Sequence, residues 1–184
     1  MQDRELVALC RQGKTEQYGV LVERYQRLIF SIAYQLVRSR EEAEDIAQEA
    51  FVKVYSRIAS TADLDFLPYI RTTVTNLCLD RLRKQRTVSR YIATSREDDL
   101  TEHSTPETTL MHSVEQKLLQ EAMARLPDMY REVLVLHYAA GHSYEAIAQI
   151  LDQPMSIVKN RIFRGKKILR EAYLQIEGGV GVEV

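Results

Sequence analysis

The sequence predicts an all-α protein with two helical domains joined by a flexible linker, the C-terminal one a helix-turn-helix domain. Hydrophobic residues make up 45% of the 184 residues, which is enough for a sizeable core. Seven glycines, four prolines and no tryptophan give a composition that favours helices over strands. Residues 87–105 are polar and acidic and lack an apolar period, so we expect them to form the linker.

The domain boundaries and the helices of the first domain follow from the same patterns. We expect a first domain at 1–86, the linker at 87–105, a second domain at 106–177 and a flexible tail at 178–184. Apolar residues at steps of three and four predict helices over 3–12, 16–38, 40–58 and 66–86. Ser39 and Glu42 form a capping-box pattern, in which the serine oxygen accepts from the Glu42 amide and the glutamate reaches back to the Ser39 amide. Pro68 predicts an irregularity in the fourth helix.

The second domain contains two helices joined by a tight turn within residues 141–170, a pattern typical of a helix-turn-helix. Two further helices, over residues 106–126 and 127–140, are predicted to precede this pair. Ser143 can cap the first helix of the pair, because its hydroxyl can accept from a free amide one turn on. The turn follows Leu151.

The second helix of the pair has one apolar face and one basic face. The apolar face comprises Val158, Ile162, Gly165, Leu169 and Ala172. The opposite face carries Ser156, Asn160, Phe163, Arg164, Lys167 and Arg170, flanked by Lys159 and Lys166. Each cation alone favours the interpretation as a merely solvated surface, but no acid lies between Met155 and Arg170. The combination suits a DNA major groove, since it offers phosphate donors, a bidentate amide and a thymine-methyl contact.

Charge is segregated along the chain although the net charge is only −1. An acidic block, Glu41, Glu42, Glu44, Asp45 and Glu49, lies on the helix face opposite Ile46, Ala50 and Val54. We expect a solvated or docking surface there rather than a metal site, because metal-binding bundles direct their acids toward the core. The low net charge predicts weak DNA binding by the protein alone, since this affinity grows with the number of cations engaged.

Enzyme signatures are scarce. The sequence has no phosphate-binding glycine loop, HExxH, GxSxG or zinc-spaced Cys/His cluster, so we expect no enzymatic activity, no cofactor and no metal. Cys10 and Cys78 lack CxxC spacing and are expected to be free thiols. With no apolar run of about twenty residues and no signal-peptide core, a cytoplasmic location is expected.

Four motifs, in order, resemble those of the extracytoplasmic-function sigma factors, the small two-domain members of the bacterial sigma-70 family. They are DIAQEAF at 45–51, the segment 66–83 with its Phe, Asn and Asp-Arg residues, 126–132 with Leu-Pro and Tyr-Arg-Glu, and IVKNR with Arg-Gly at 157–165. The resemblance extends over residues 18–172.

The resemblance implies a factor that binds core RNA polymerase and directs it to promoters, with no catalytic residues of its own. It implies that Asp45, Gln48, Glu49 and Phe51 bind the polymerase. It implies contacts with the promoter element near minus ten from Ser60, Thr61, Asp63, Phe66, Asn76, Asp80, Arg83 and Lys84. The helix-turn-helix is then expected to read the element near minus thirty-five through Ser156, Lys159, Asn160, Phe163, Arg164 and Lys167. An anti-sigma partner is implied by the resemblance only.

Two other functions are consistent with parts of the sequence. A stand-alone regulator that binds operators as a dimer would explain the helix-turn-helix, but it leaves the acidic block and the helix containing Asn76 without a role. An enzyme built on the acidic block would require a bound metal ion. Promoter DNA and core RNA polymerase are therefore the expected partners.

Overall fold

The computed structural model describes residues 1–61, 64–92 and 114–180, with side chains described up to residue 85 and between 114 and 178. Within these residues the chain is helical apart from short connections, and it contains no strand. Two compact units are present, Met1–Pro106 and Glu107–Val184, which confirms the predicted all-α, two-domain class. Among the described helices, none is long and apolar enough to cross a membrane.

The described residues of the N-terminal unit form four helices. They are α1 (Asp3–Arg11), α2 (Glu16–Val37), α3 (Arg40–Ile58) and α4 (Phe66–Ile92). The first three agree with the predicted helices to within one residue at each end. α4 extends to Ile92, beyond the predicted end at residue 86, because the intervening residues include no glycine or proline to stop a helix.

The core of this unit is built around α2, which packs against each of the other three helices. Leu21, Ile29 and Ile32 of α2 are fully buried. Ile46 and Val54 of α3 meet them from the side opposite the acidic residues. This burial removes apolar surface from water and is the main stabilising contribution to the unit.

Polar contacts tie the helices together at two places. The Asp3 carboxylate accepts hydrogen bonds from the Arg24 guanidinium and the Tyr25 hydroxyl, which joins α1 to α2. The Tyr18 hydroxyl donates to the Phe51 carbonyl at 2.6 Å, which joins α2 to α3. Burial raises the pKa of Tyr18, so its hydroxyl keeps the proton that this bond requires.

The start of α3 agrees with only half of the predicted capping box. Ser39 Oγ accepts from the Glu42 amide at 3.3 Å, as expected of an N-cap serine. The Glu42 carboxylate does not reach back to the Ser39 amide, so that part of the prediction is wrong. It accepts instead from Gln85 Nε2 at 2.9 and 3.1 Å and lies 3.7 Å from Arg81. Glu42 therefore links α3 to α4.

Pro68 leaves α4 regular, and the predicted irregularity is wrong. The helix begins at Phe66, and its first hydrogen bond runs from the Tyr69 amide to the Asp65 carbonyl at 3.2 Å. Pro68 thus occupies the first turn, where an amide would have no partner within the helix. The missing N–H therefore removes no hydrogen bond from α4.

Between residues 114 and 180, the C-terminal unit forms four further α-helices and one π-helical turn. They are α5 (Val114–Ala124), α6 (Asp128–Leu134), the π-helical turn (Val135–Ala139), α7 (Tyr144–Leu151) and α8 (Met155–Val180). The helix predicted over 127–140 is therefore α6 followed by the π-helical turn. The predicted start of the preceding helix, at residue 106, lies outside the described residues, and α8 continues past residue 178, where the tail was predicted.

The buried Arg131 side chain holds the end of α5 to the start of α6. Its guanidinium donates to the Leu126 carbonyl at 2.9 Å and to the Asp128 carboxylate. A buried cation is tolerated when its donors are satisfied, and these two acceptors provide that compensation.

α8 packs against α7 and, further along its length, against α6 and α5. Toward its C-terminal end, Ala172 and Ile176 form a core with Leu118 and Ala122 of α5. Nearer its middle, α8 approaches α6 so closely at Gly165 that a Cβ there would lie 3.3 Å from both Leu134 Cδ1 and Tyr130 Cβ. Glycine allows this approach because it has no side chain.

Replacing Gly165 by valine should lower the free energy of unfolding of the C-terminal unit by about 1–3 kcal/mol, because the added atoms overpack the contact with α6. Urea unfolding followed by circular dichroism measures the effect. Gly178→Val is the matched control, since no atom lies within 4 Å of a Cβ at Gly178. Equal stability of the two variants would contradict the prediction.

Candidate nucleic-acid interface

The helix-turn-helix is formed by α7, a short turn and α8, which pack against each other. Ser143 caps α7 as predicted, with its Oγ accepting from the Ala146 amide at 3.2 Å. Asp152 ends α7 in the left-handed conformation, with φ of 50°. The next amide, Gln153 N, donates to the Ala148 carbonyl at 3.0 Å. These bonds set the tight turn after which α8 begins.

The outward face of α8 presents all the side chains that were predicted to read DNA near minus thirty-five. Val158, Ile162 and Gly165 are buried, so the opposite side of the helix faces solvent. The exposed residues there are Ser156, Lys159, Asn160, Phe163, Arg164 and Lys167. Phe163 is the most exposed large apolar side chain among the described residues, at 74%. Lys167 lies 4.0 Å from Glu171, so the face is basic with one acid at its edge.

Two histidines connect the π-helical turn to the start of α7. His137 Nδ1 lies 2.9 Å from the His142 carbonyl, which can only accept, so Nδ1 carries the proton. The His137 ring contacts Tyr138 and Tyr144, with ring centroids 4.7 and 4.8 Å away. The His142 amide donates to the Leu136 carbonyl at 2.9 Å, while its Nε2 is buried without a hydrogen-bond partner. Burial lowers the pKa of His142.

The loop between α3 and α4 contains three of the residues predicted to contact the minus-ten element, and the structure describes two of them. Ser60 is exposed, with its hydroxyl donating to the Arg57 carbonyl at 3.1 Å, and Thr61 is half-buried. Asp63, which was also predicted to contact the minus-ten element, lies outside the described residues.

Phe66, predicted to line this loop as a DNA contact, is 1% exposed and belongs to the core. Its ring packs against Tyr18 and Tyr25, with centroid distances of 6.1 and 5.7 Å. Direct contact between Phe66 and a base is therefore excluded in this conformation. Its position in the first turn of α4 makes it a support beneath the loop.

The exposed side of α4 carries the other residues predicted for the minus-ten element. Asn76, Asp80, Arg83 and Lys84 are all exposed, and their spacing places them on one face. Asp80 and Arg83 form an exposed ion pair at 3.4 Å. The face can therefore offer an amide, a carboxylate and cations to a nucleic-acid strand.

The outward side of α3 is acidic, as the sequence predicted. Asp45, Gln48 and Glu49 are exposed, and Glu49 pairs with Lys53 at 2.8 Å. Phe51 is only 8% exposed, so the prediction that it contacts a partner directly is not consistent with its place in the core.

Sequence reasoning missed Val52, which is exposed at the C-terminal edge of this acidic face of α3. Its spacing of four residues after Gln48 was the available signal.

Both cysteines are buried free thiols, as predicted. Burial raises the pKa of Cys78 to about 12 and also raises that of Cys10. Both thiols therefore stay protonated and unreactive at neutral pH. In the described part of the chain no group of three or more His, Cys, Asp or Glu side chains is arranged to hold a metal ion.

Comparison with known proteins shows two matched regions. Residues 21–88 match the family Sigma-70 region 2, and residues 116–169 match the family Sigma-70, region 4. The ECF RNA polymerase sigma factor SigW of Bacillus subtilis is 30% identical over 185 residues, covering 93% of this chain and 96% of SigW. The RNA polymerase sigma-H factor of Pseudomonas aeruginosa is 29% identical over 180 residues, with 93% of each chain covered.

Two solved complexes contain chains with a similar fold. In the complex of the sigma factor RpoE with the anti-sigma factor NepR from Bartonella quintana, the matched chain has a TM-score of 0.56 and 20% identity, covering 85% of this chain and 96% of that one. In the complex of CnrH with the cytosolic domain of CnrY, the values are 0.53 and 21%, with 92% and 95% covered. At these identities the likeness concerns the fold.

The two matched regions and the helix-turn-helix define a sigma-70-type transcription initiation factor, a class of protein that is not an enzyme. Within this class, the chain belongs to the extracytoplasmic-function sigma factors. It is an RNA polymerase sigma factor that acts in promoter-specific initiation of transcription.

The His142 environment predicts that the C-terminal unit loses stability as the pH falls below 6.5, the ordinary pKa of a histidine side chain. Because burial lowers the pKa of His142 in the folded state, the unfolded chain takes up the proton first. The stabilisation is present above pH 6.5 and is lost as the pH falls toward the lower folded pKa. Thermal unfolding at about half-unit steps of pH, on both sides of this value, measures the loss. We expect a shallower pH dependence for His142→Gln; identical profiles would exclude His142 as the cause.

Proposed function

We propose that α8 reads the promoter element near minus thirty-five, that α4 contacts the element near minus ten, and that α3 docks on core RNA polymerase. The observation that carries this proposal is the exposed, acid-free face of α8, in which Phe163 is directed away from the core. A solvated surface helix has no need of an apolar aromatic at that position, whereas a base-reading helix can use it.

The side chains of α8 match the chemistry of a major groove. Asn160 can form two hydrogen bonds with an adenine, and Phe163 can contact a thymine methyl group. Lys159 and Arg164 are placed on either side to neutralise phosphates. From Ser156 to Lys167 the face is about 16 Å long, since a helix rises about 1.5 Å per residue. That length corresponds to roughly five base pairs at about 3.4 Å each.

α4 and the loop before it supply the groups for a separated strand near minus ten. Arg83 and Lys84 can follow the backbone, while Asn76 can bond to a base edge. The exposed Ser60 and the half-buried Thr61 precede α4 and offer hydroxyl groups to an unstacked base. Phe66 acts indirectly, by fixing the first turn of α4 from within the core. Asp63 stays a prediction.

α3 offers an anionic surface that is suited to a basic partner. Asp45 and Gln48 are exposed on its outer side, and Phe51 supports the helix from the opposite side. The net charge of −1 means that few excess cations are available to hold DNA. We infer that promoter binding depends on docking to polymerase, which concentrates α4 and α8 on the promoter.

The proposed location and regulation of the protein follow from its binding to RNA polymerase. We place the protein in the cytoplasm, where it meets polymerase and DNA. An anti-sigma factor is a further expected partner, since the solved complex of RpoE, whose fold is similar, contains the anti-sigma factor NepR.

A gel-shift experiment with a promoter fragment tests the proposed function. The purified full-length chain alone should bind weakly and without sequence preference, whereas addition of core RNA polymerase should produce specific, salt-sensitive binding. Tight specific binding by the chain alone would instead support a stand-alone regulator and overturn the docking role of α3.

Replacing Asn160 by alanine should remove discrimination at one base pair of the minus-thirty-five element, by about 1–3 kcal/mol. The reason is that alanine cannot form the paired hydrogen bonds of the amide. Selection of promoters from a library randomised at this element, with holoenzyme carrying each variant, measures the preference.

Gln175→Ala is the matched control for this experiment, because Gln175 is an exposed amide on α8 beyond the proposed reading face. It should leave the selected sequence unchanged. If Asn160→Ala and Gln175→Ala select the same sequence as the wild type, Asn160 does not read a base.

A further inference from the structure

Val52 is an exposed apolar side chain on the acidic face of α3. Its side chain is 68% exposed. It follows Asp45 by seven residues and Gln48 by four, so the three side chains lie along one line of the helix. Val52 therefore lies at the C-terminal edge of the acidic block, on the same line as Asp45 and Gln48.

Local helix energetics do not explain a valine at this position. A β-branched side chain loses χ1 freedom in a helix, so valine is a poorer helix former than alanine, lysine or glutamate. At Val54, two residues further on, complete burial compensates for this loss. At Val52 the unit itself supplies no comparable burial. A partner that covers the side chain would supply it.

The charged groups around Val52 differ in their availability to a partner. Glu49 is paired with Lys53 at 2.8 Å, and Glu44 is paired with Arg40 at 2.9 Å. Asp45, in contrast, forms no ion pair within the described residues. The Asp45 carboxylate is therefore available to pair with a cation of a partner. The Gln48 amide, nearer to Val52, is available to form hydrogen bonds with it.

We propose that Val52 is the main apolar contact between α3 and core RNA polymerase, covered by apolar side chains within a basic surface of the polymerase. The inference rests on the proposed docking of α3 and names the residue that makes the main apolar contact. Protein interfaces commonly place an apolar contact inside a polar rim, and here Asp45 and Gln48 form that rim. Charge complementarity to Asp45 requires the partner surface to be basic. Phe51, which is buried, and Glu49, which is paired, contribute less than Val52 to this contact.

Val52→Thr tests the proposal, because it keeps the branched shape and replaces one methyl group with a hydroxyl. Binding of the full-length chain to purified core RNA polymerase is measured by competition with labelled wild-type protein. We expect affinity to fall roughly fivefold to tenfold, since the hydroxyl must lose its water on docking. Val52→Ala, which favours the helix, should also weaken binding, by roughly threefold to tenfold. Both losses should persist at high salt, because the removed contact is apolar.

Two variants serve as references. Val20→Thr changes another exposed valine, 38% exposed on α2, and should leave the affinity unchanged. Asp45→Asn tests docking through α3 itself and should weaken binding mainly at low salt, because it removes a charge. Thermal unfolding of each variant confirms that the fold is intact.

The outcomes separate the role of Val52 from the docking role of α3. Wild-type affinity for both Val52 variants, together with weaker binding by Asp45→Asn, would overturn the role of Val52 alone. Wild-type affinity for all three variants would overturn docking through α3 as well. A loss in Val52→Thr without a loss in Val52→Ala would also contradict an apolar contact.

Discussion

The close approach of α8 to α6 at Gly165 is the contact on which the DNA-reading surface depends. No side chain separates the helices there, so the position of α8 is set by backbone and by the side chains of α6. An α-helix turns by about 100° per residue, so one fixed contact orients the whole helix. Val158 and Ile162 then enter the core, while Asn160 and Phe163 face solvent. The direction of the proposed base-reading face is thus a consequence of packing on the other side of the same helix.

In α3 of the N-terminal unit, too, packing of the inner side of the helix determines which residues face outward. Its inner side is held by burial of Phe51 and Val54 and by the hydrogen bond from Tyr18 to the Phe51 carbonyl. The outer side is left for Asp45 and Val52. Apart from Ser60 and Thr61, which precede α4, the proposed polymerase and promoter contacts therefore lie on helices rather than on loops, which lowers the entropy lost on binding.

Predictions based on neighbouring residues were confirmed, and those that depended on distant residues were the ones that failed. The caps at Ser39 and Ser143 need only an amide one turn away, so their residue types were sufficient. The second half of the predicted capping box was wrong because Glu42 is attracted to Gln85, a residue on another helix. Pro68 is an exception: the start of α4 at Phe66 was predicted, and the irregularity was wrong because a proline in the first turn removes no hydrogen bond from the helix.

Residue spacing alone was enough to predict the all-α class and the outward faces of α3 and α8, because helix geometry converts spacing into direction. Spacing was not enough to decide which apolar side chains are buried. Burial requires a second helix that folding brings close to the first. Phe66 is buried because Tyr18 and Tyr25 of α2 pack on it, whereas Phe163 has no such neighbour on its side of α8. The tertiary structure therefore removed Phe66 from the candidates for direct contact and made Val52 a candidate.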